Sequence, residues 1–344
     1  MKVLIVLHHR FKLWNPPSWF AERLRRDFPG VEVEQFQDYT QAEPHFPDAD
    51  VIVTWSLHAE QVVLAKKLRW IHSPAAAVHQ FMIPEIVNSQ IVLTNASAVH
   101  APVVAEHAIA LMLALSKNLP SAVRYQQQHV WSQQQLWDEH PHPREVAGAT
   151  LGIVGLGNIG TEVARRALCL QMKVIATREH PEMGVPETLR QVLAVGGEHL
   201  LDSPRVRVLG TSELNVLLSE SDYVVLCAPL RPSTEALINA KSIVHMRSGA
   251  CLINVGRGSL IEETALVDAL QHRIIGGAAL DVFEAEPLPA DSPLWDLPNV
   301  LITPHSAAVT DRLWERHYAM VSENLRRFLA GQPLVGVVHK NRGY

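Results

Sequence analysis

Apolar residues along this chain fall in short runs that are hydrophobic throughout rather than alternating. "KVLIVL", "ADVIVTW", "RWIHS" and "IVLTN" lie in the first hundred residues, and "TLGIVGL", "KVIAT", "DYVVLCAP", "ACLINV" and "IIGGAALDV" follow residue 150. Runs of this length, rich in Val and Ile and bounded by polar or Gly/Pro residues, predict strands buried on both faces. Between them the apolar spacing changes to that of a helix, as in "PPSWFAERLRRDF". Strands of this kind joined by helices make parallel sheets with helices on either side. Two such series predict an α/β protein with two Rossmann-like, doubly wound lobes and a cleft between them.

The join between the series is readable too. "APVVAEHAIALMLALSKN" has helical spacing from Val103 to Leu115, with Pro102 placed to serve in an N-terminal turn. A second long helix is expected in "DRLWERHYAMVSENLRRFLAG", stopped by Gly331 and Pro333. If both helices cross between lobes, the first lobe is discontinuous. The expected division is 1–100 plus 307–344 for the first lobe and 101–306 for the second. The polar, Gln-rich and Pro-broken stretch "QQQHVWSQQQLWDEHPHPREVAG" suits an exposed loop or arm.

Composition narrows the partners. With 47% hydrophobic and 19% charged residues the chain can build ordinary cores, and a net charge of -5 gives no electrostatic reason to bind nucleic acid or an anionic membrane. "MKVLIVLHHR" breaks off at His8-His9-Arg10 without a small-residue cleavage site, so it reads as a buried strand rather than a signal peptide. "VVAEHAIALMLALS" is interrupted by Glu106 and His107 and is too short to span a bilayer. Cys169, Cys227 and Cys251 have neither disulfide-framework nor zinc spacing. Despite 18 histidines, His8-His9 and "EHPHP" at 139–143 lack the ligand spacing that zinc sites on helices use, so no metal is expected. The reading is a soluble, cytoplasmic protein.

The chemistry starts at "LGIVGLGNIG". Gly155, Gly157 and Gly160 match G-x-G-x-x-G between a predicted strand and a predicted helix, and this context gives the pattern its meaning. The first glycine permits a tight turn, the second lets a pyrophosphate approach the backbone, and the third allows the helix to pack closely on the strand. The anion then sits at the helix N-terminus, beside Asn158 and Ile159. Twenty-three residues after Gly155, where an acidic residue usually receives the adenine ribose hydroxyls, stand Thr177 and Arg178. A guanidinium there pairs with a 2′-phosphate, so NADP(H) is favoured, with NAD(H) possible because Glu179 follows.

Three further segments, "CLINVGRGSLIEETAL", "AALDVFEAEPLP" and "LWDLPNVLITPHSAA", together with "VAEHAIALMLAL" and "LSESDYVVLCAPLRPSTEALI", closely resemble the D-isomer-specific 2-hydroxyacid dehydrogenase family. The resemblance is strong from Val104 to about Ala308 and traceable in residues 1–100. It implies Arg257, Glu286 and His305 as the catalytic set. In that chemistry a histidine protonates the carbonyl oxygen as hydride reaches carbon, a carboxylate holds the imidazole protonated and oriented, and the arginine grips the substrate carboxylate. It also implies Asp281 near the nicotinamide carboxamide, with Cys227, Pro229, Thr234 and Val255 lining the cofactor cleft. Formate dehydrogenases of this superfamily carry glutamine in place of Glu286, so the pair here points to a hydroxy or oxo acid. A homodimer is implied, with the helix from Val103 and the Gln-rich arm at its interface.

Two stretches depart from the family pattern. Relatives usually hold the substrate carboxylate on the backbone of Ala-Gly-Val-Asp, where this chain reads "SPAAAVHQF" with Ala76, Ala77, Val78 and His79. Ala77 in place of glycine disfavours positive φ, while the N–H groups of Ala76 and Ala77 remain the expected carboxylate site. "PETLRQVLAVGGEHLLDSP" looks like an inserted helix and loop, either decorating the surface or bringing Arg205 or Arg207 to a phosphate. The expected function is an NADP(H)-preferring reductase of a small 2-oxo acid. The alternatives are a phosphoglycerate or phosphite dehydrogenase on the same scaffold, or a dinucleotide-sensing regulator of the C-terminal-binding corepressor type.

Overall fold

The computed structural model describes residues 1–186, 189 and 205–340. Contacts divide the chain into two compact units, Met1–His100 with Val309–Tyr344, and Ala101–Ala308.

The first unit is built on a five-stranded parallel sheet in the order β2-β1-β3-β4-β5. Its strands are β1 (Lys2–Val6), β2 (Glu32–Phe36), β3 (Val51–Thr54), β4 (Trp70–Ser73) and β5 (Val92–Asn95). Because successive side chains point to opposite faces, Val3 and Ile5 join a core with Phe20 and Trp70, while Leu4 and Val6 join another with Phe46, Ile52 and Phe81. The helix Leu313–Leu329 supplies Trp314, Tyr318 and Leu325 to the first of these cores. The tail then closes on β5: Asn95 N donates to Gly336 O at 2.9 Å and Val338 N to Leu93 O at 2.8 Å. Gly336 has φ +73°, and a Cβ there would lie 2.8 Å from Asn95 O, so the turn requires glycine. Lys340 Nζ donates to the carbonyls of Ile86, Ser89 and Ile91.

The second unit carries a seven-stranded parallel sheet in the order β12-β11-β10-β9-β6-β7-β8. These strands are β6 (Thr150–Val154), β7 (Lys173–Arg178), β8 (Val206–Gly210), β9 (Tyr223–Leu226), β10 (Cys251–Asn254), β11 (Gly277–Leu280) and β12 (Val300–Ile302). The strand order reverses between β6 and β9, and the C-terminal ends of strands at such a reversal are where open α/β sheets take their ligands. The helix Asn158–Cys169 packs Val163, Ala164 and Ala167 on one face with Ile153 and Val225, and Leu217, Leu252 and Leu266 fill the other.

Several expectations change. Strands β2, β8 and β12 had no counterpart among the apolar runs. The helix predicted from Val103 starts at Ser97 and runs to Ser116, which leaves Pro102 inside it rather than in its first turn. The small residues Ala98 and Ala101 let the helix form upstream, although a proline there forgoes one backbone hydrogen bond. At that length, Ala98–Ser116 is long and apolar enough to cross a membrane, contrary to the shorter estimate. Ala105, Ala108 and Met112 are fully buried in the core of the second unit, as in a helix of a globular protein. The Gln-rich arm is partly helical: its first two residues end the helix Leu119–Gln127, and Gln133–Asp138 forms another. Most of the inserted stretch lies outside the described residues. Arg205 and Arg207 flank the start of β8, five and three residues before Gly210, the partner of Arg178. At about 3.3 Å per residue they sit about 16 and 10 Å back along the strand from that level, and Arg207 is paired with Glu220 at 2.7 Å.

Candidate active site

The glycine-rich turn joins β6 to the helix Asn158–Cys169 in the second unit. Gly155 adopts φ +100°, and its N–H and that of Leu156 both donate to Thr177 O, at 3.2 and 2.9 Å. A Cβ on Gly155 would meet Ala228 N at 2.7 Å, and one on Gly160 would meet Gly155 O at 2.2 Å, so both positions are closed by backbone. A Cβ on Gly157 would meet nothing within 4 Å. Gly157 and Asn158 are exposed, and Ile159 is partly exposed. Two glycines are thus required by packing, and the third opens the helix N-terminus to an approaching group.

Beside this turn is a cavity of about 420 Å3 lined by Leu156, Gly157, Asn158, Thr161, Arg178 and Met183, among others. Arg178 ends β7 and donates to Gly184 O at 3.2 Å and to Met183 Sδ at 3.6 Å, which leaves its guanidinium on the cavity wall. An open helix N-terminus, a glycine cradle and a cation fit a dinucleotide pyrophosphate and a further phosphate. The other residues expected to meet the cofactor follow β9 and β10. Cys227 N donates to Val154 O at 2.8 Å, and burial pushes its thiol up to about 12, so it stays neutral. Thr234 Oγ1 donates to Pro229 O at 2.7 Å and closes that turn, and Val255 is buried.

Beyond β10, Asn254 is fully buried and organises the next loop with both ends of its amide. Its Oδ1 accepts from Gly256 N at 3.0 Å and its Nδ2 donates to Arg257 O at 2.9 Å. Arg257 Nη1 donates to Gly256 O at 2.6 Å, and burial pushes its guanidinium below the usual arginine range while Glu286 opposes that shift. A Cβ on Gly258 would lie 1.8 Å from the carbonyl carbon of Phe283, so the arginine loop abuts the segment that leads to Glu286. Glu286 is anchored there by Phe283 N, which donates to Oε1 at 3.0 Å.

The other oxygen, Oε2, lies 2.6 Å from His305 Nδ1. His305 follows β12 and adopts φ +50°, a left-handed conformation rare outside glycine. It is held by Asp281. The Asp281 carbonyl accepts from His305 N at 2.8 Å, and its buried carboxylate accepts from Thr303 Oγ1, Ser306 N and Ala307 N at 2.6, 2.8 and 3.0 Å. His107 Nε2 is 3.0 Å from Thr303 Oγ1 and 3.5 Å from Asp281 Oδ1. Asp281, expected beside the cofactor, secures the histidine loop. Asn254, Thr303 and His107 were not singled out in the sequence, because a lone polar residue in "INVGRG", "TPH" or "AEH" gives no spacing signal of its own.

In the first unit, the loop after β4 has its carbonyls turned inward one by one. Pro74 O lies 2.9 Å from His100 Nε2, Ala75 O accepts from Ala96 N at 3.1 Å, Ala76 O from Asn95 Nδ2 at 3.0 Å and Ala77 O from Gln80 Nε2 at 3.4 Å. The N–H groups of Ala76 and Ala77 have no acceptor among the described residues. Ala77 avoids positive φ, in keeping with its side chain. The larger cavity in the second unit, about 640 Å3, lies away from all these groups, at the starts of β10 and β11 and beside the arm.

The sequence profile of the D-isomer specific 2-hydroxyacid dehydrogenase NAD-binding domain matches residues 109–307. A glyoxylate reductase from Korarchaeum cryptofilum is 34% identical over 83% of this chain and 81% of its own length. A D-3-phosphoglycerate dehydrogenase from Methanocaldococcus jannaschii is 32% identical over 90% of this chain, and the present chain spans about half of that relative's length (55%). Among solved structures, an NADPH-dependent glyoxylate/hydroxypyruvate reductase from Sinorhizobium meliloti in complex with NADP and sulfate superposes with a TM-score of 0.77. It is 26% identical, and the match covers 100% of this chain and 99% of that one. The fold and the glycine cradle define a Rossmann-type dinucleotide-binding protein. The chain belongs to the D-isomer specific 2-hydroxyacid dehydrogenase family.

Proposed function

We propose that this protein is an NADP(H)-preferring reductase that converts a small 2-oxo acid to the D-2-hydroxy acid, reversibly. The observation that carries the reading is the 2.6 Å contact of His305 Nδ1 with Glu286, in the same unit as the glycine cradle and Arg257. The second unit would hold the dinucleotide through Gly155, Gly157, Asn158, Ile159, Gly160, Thr177 and Arg178, with Cys227, Pro229, Thr234, Val255 and Asp281 along the cleft. A bound nicotinamide supplies the hydride for the carbonyl carbon. Glu286 fixes the imidazole through Nδ1, which directs Nε2 toward the substrate, and His305 donates its Nε2 proton to the carbonyl oxygen. Arg257 balances the substrate carboxylate and polarises the carbonyl. The first unit would bind the carboxylate on the N–H groups of Ala76 and Ala77.

The reading includes a cytoplasmic homodimer. The arm and the helix before it support a second copy as partner, because Leu119 and Val123 on that helix and Trp131 and Trp137 on the arm are all half exposed or more, with Trp131 at 92%. The test is to follow reduced-nicotinamide absorbance with glyoxylate, hydroxypyruvate, pyruvate and 3-phosphohydroxypyruvate, each with NADPH and NADH. Faster oxidation of NADPH with an unphosphorylated 2-oxo acid is expected. Turnover confined to the phosphorylated acid would replace the substrate class. Tight NADPH binding without turnover of any of the four would favour a dinucleotide-sensing regulator.

A further inference from the structure

At the ribose end of the cofactor site, Arg178 is followed by a carboxylate, Glu179. A carboxylate one residue from the cation that would receive a 2′-phosphate works against it, because it repels that phosphate and can accept from a ribose hydroxyl instead. The structure pairs this carboxylate with a cation from another strand end. Arg231 Nη1 lies 3.0 Å from Glu179 Oε2. Glu179 follows β7 and Arg231 follows β9, and β6 lies between those two strands in the sheet. The ion pair therefore bridges the end of β6, from which the glycine-rich turn departs.

Arg231 is held for this task by its own turn. Its N–H donates to Thr234 Oγ1 at 2.9 Å, and its carbonyl accepts from Thr234 N and Glu235 N, both at 2.9 Å. Its side chain is 26% exposed against 52% for Glu179, so the arginine is the anchored member and the glutamate the one brought to it. The pair sets the charge of Arg231 against that of Glu179, and removing Arg231 takes this counter-charge away from the ribose end.

We infer that Arg231 is a specificity-determining residue that sets the preference for NADP(H) by neutralising Glu179. This rests on the NADP(H) reading above. Arg231 acts through Glu179, so the two side chains must be coupled in binding, and an arginine that touched the phosphate directly would not show that coupling.

The test uses the full-length protein without substrate. Dissociation constants for NADPH and NADH are measured by tryptophan fluorescence quenching for the wild type, Arg231→Gln, Glu179→Gln and the double variant. Arg231→Gln is expected to reduce the NADPH-over-NADH preference about tenfold, equivalent to about 1.4 kcal/mol. Glu179→Gln is expected to keep or raise the preference, and the double variant to recover most of what Arg231→Gln loses. An unchanged preference in Arg231→Gln, or a double variant as impaired as Arg231→Gln, overturns the inference. A wild type that binds NADH as tightly as NADPH overturns the cofactor reading instead, and the effect of Arg231→Gln on the ratio is still read independently. If Arg231→Gln folds poorly, Arg231→Met, which keeps the long apolar stem without the charge, takes its place in the same cycle with the same outcomes.

Discussion

At the scale of single residues, the site combines one strained position with many satisfied ones. His305 in its left-handed conformation is unfavourable by about 1 kcal/mol, and the Asp281 carbonyl and carboxylate hold the loop in that shape. Replacing the imidazole removes the acid and leaves that scaffold intact. His305→Gln is expected to lower kcat by about 10²–10⁴-fold with the NADPH dissociation constant unchanged, as read by steady-state kinetics and fluorescence quenching. A different group of histidines governs stability. In the first unit, burial pushes His72 down to about 3, lowers His100, and lowers His317 well below the usual histidine range. Neither ring nitrogen of His317 has a hydrogen-bond partner among the described residues. These rings stay neutral in the fold while the unfolded chain takes up protons below about pH 6.5. Stability is therefore fully present above pH 6.5 and lost as pH falls toward the folded values, by about 2 kcal/mol at pH 5 from His72 alone. Trp14, Trp19, Trp55, Trp70 and Trp314 all lie in the first unit, so denaturant unfolding followed by tryptophan fluorescence at pH 7.5 and 5 reads this loss. His317→Phe is expected to flatten the dependence, and a wild-type midpoint that does not move with pH would refute the account.

At the scale of elements, the glycine turn separates what packing needs from what a ligand needs. Gly160→Ala drives a Cβ to 2.2 Å from a backbone oxygen and is expected to destabilise the second unit by several kcal/mol, seen as a lower unfolding midpoint. Gly157→Ala meets nothing within 4 Å, so the midpoint should stay put while NADPH affinity falls at least tenfold. Equal losses of stability in both would contradict the geometry. The strands show why part of the fold was legible in the sequence and part was not. Central strands such as β3, β4 and β9 are buried at every position and appear as unbroken apolar runs. The unforeseen strands β2, β8 and β12 are sheet edges. "EVEQF" is mostly polar and "VRVLG" is interrupted by Arg207, as suits edge strands that meet water on one side, and "VLI" is only three residues long. The glycine turn and Arg178 stood out through the spacing of their motif, and Arg257, Glu286 and His305 through the resemblance of their segments to the family. Asn254, Thr303 and the Arg231–Glu179 pair did not, because contacts across strand ends leave no period along the chain.

At the scale of the whole molecule, each unit has its own sheet and its own cores, and the arm presents the most exposed large apolar side chain among the described residues, Trp131. If a second copy covers it, Trp131→Glu should convert a dimer into monomers in sedimentation experiments and leave NADPH binding by each monomer in place. A wild type that sediments as a monomer would remove the homodimer from the reading.

The composition of the first unit has a consequence for how the protein is made. Its sheet comes from residues 1–100, but Trp314, Tyr318 and Leu325, which cover Phe20 and Trp70, arrive after roughly 200 residues of the other unit. At about 5–20 residues per second, the nascent sheet waits about 10–40 s with that apolar face uncovered. The second unit, contiguous in the chain, has its whole sheet synthesised before the first unit is complete. Completion therefore runs against the order of the domains, and the ribosome-bound chain passes through an interval in which the first hundred residues present an apolar face that only the last-made helix covers.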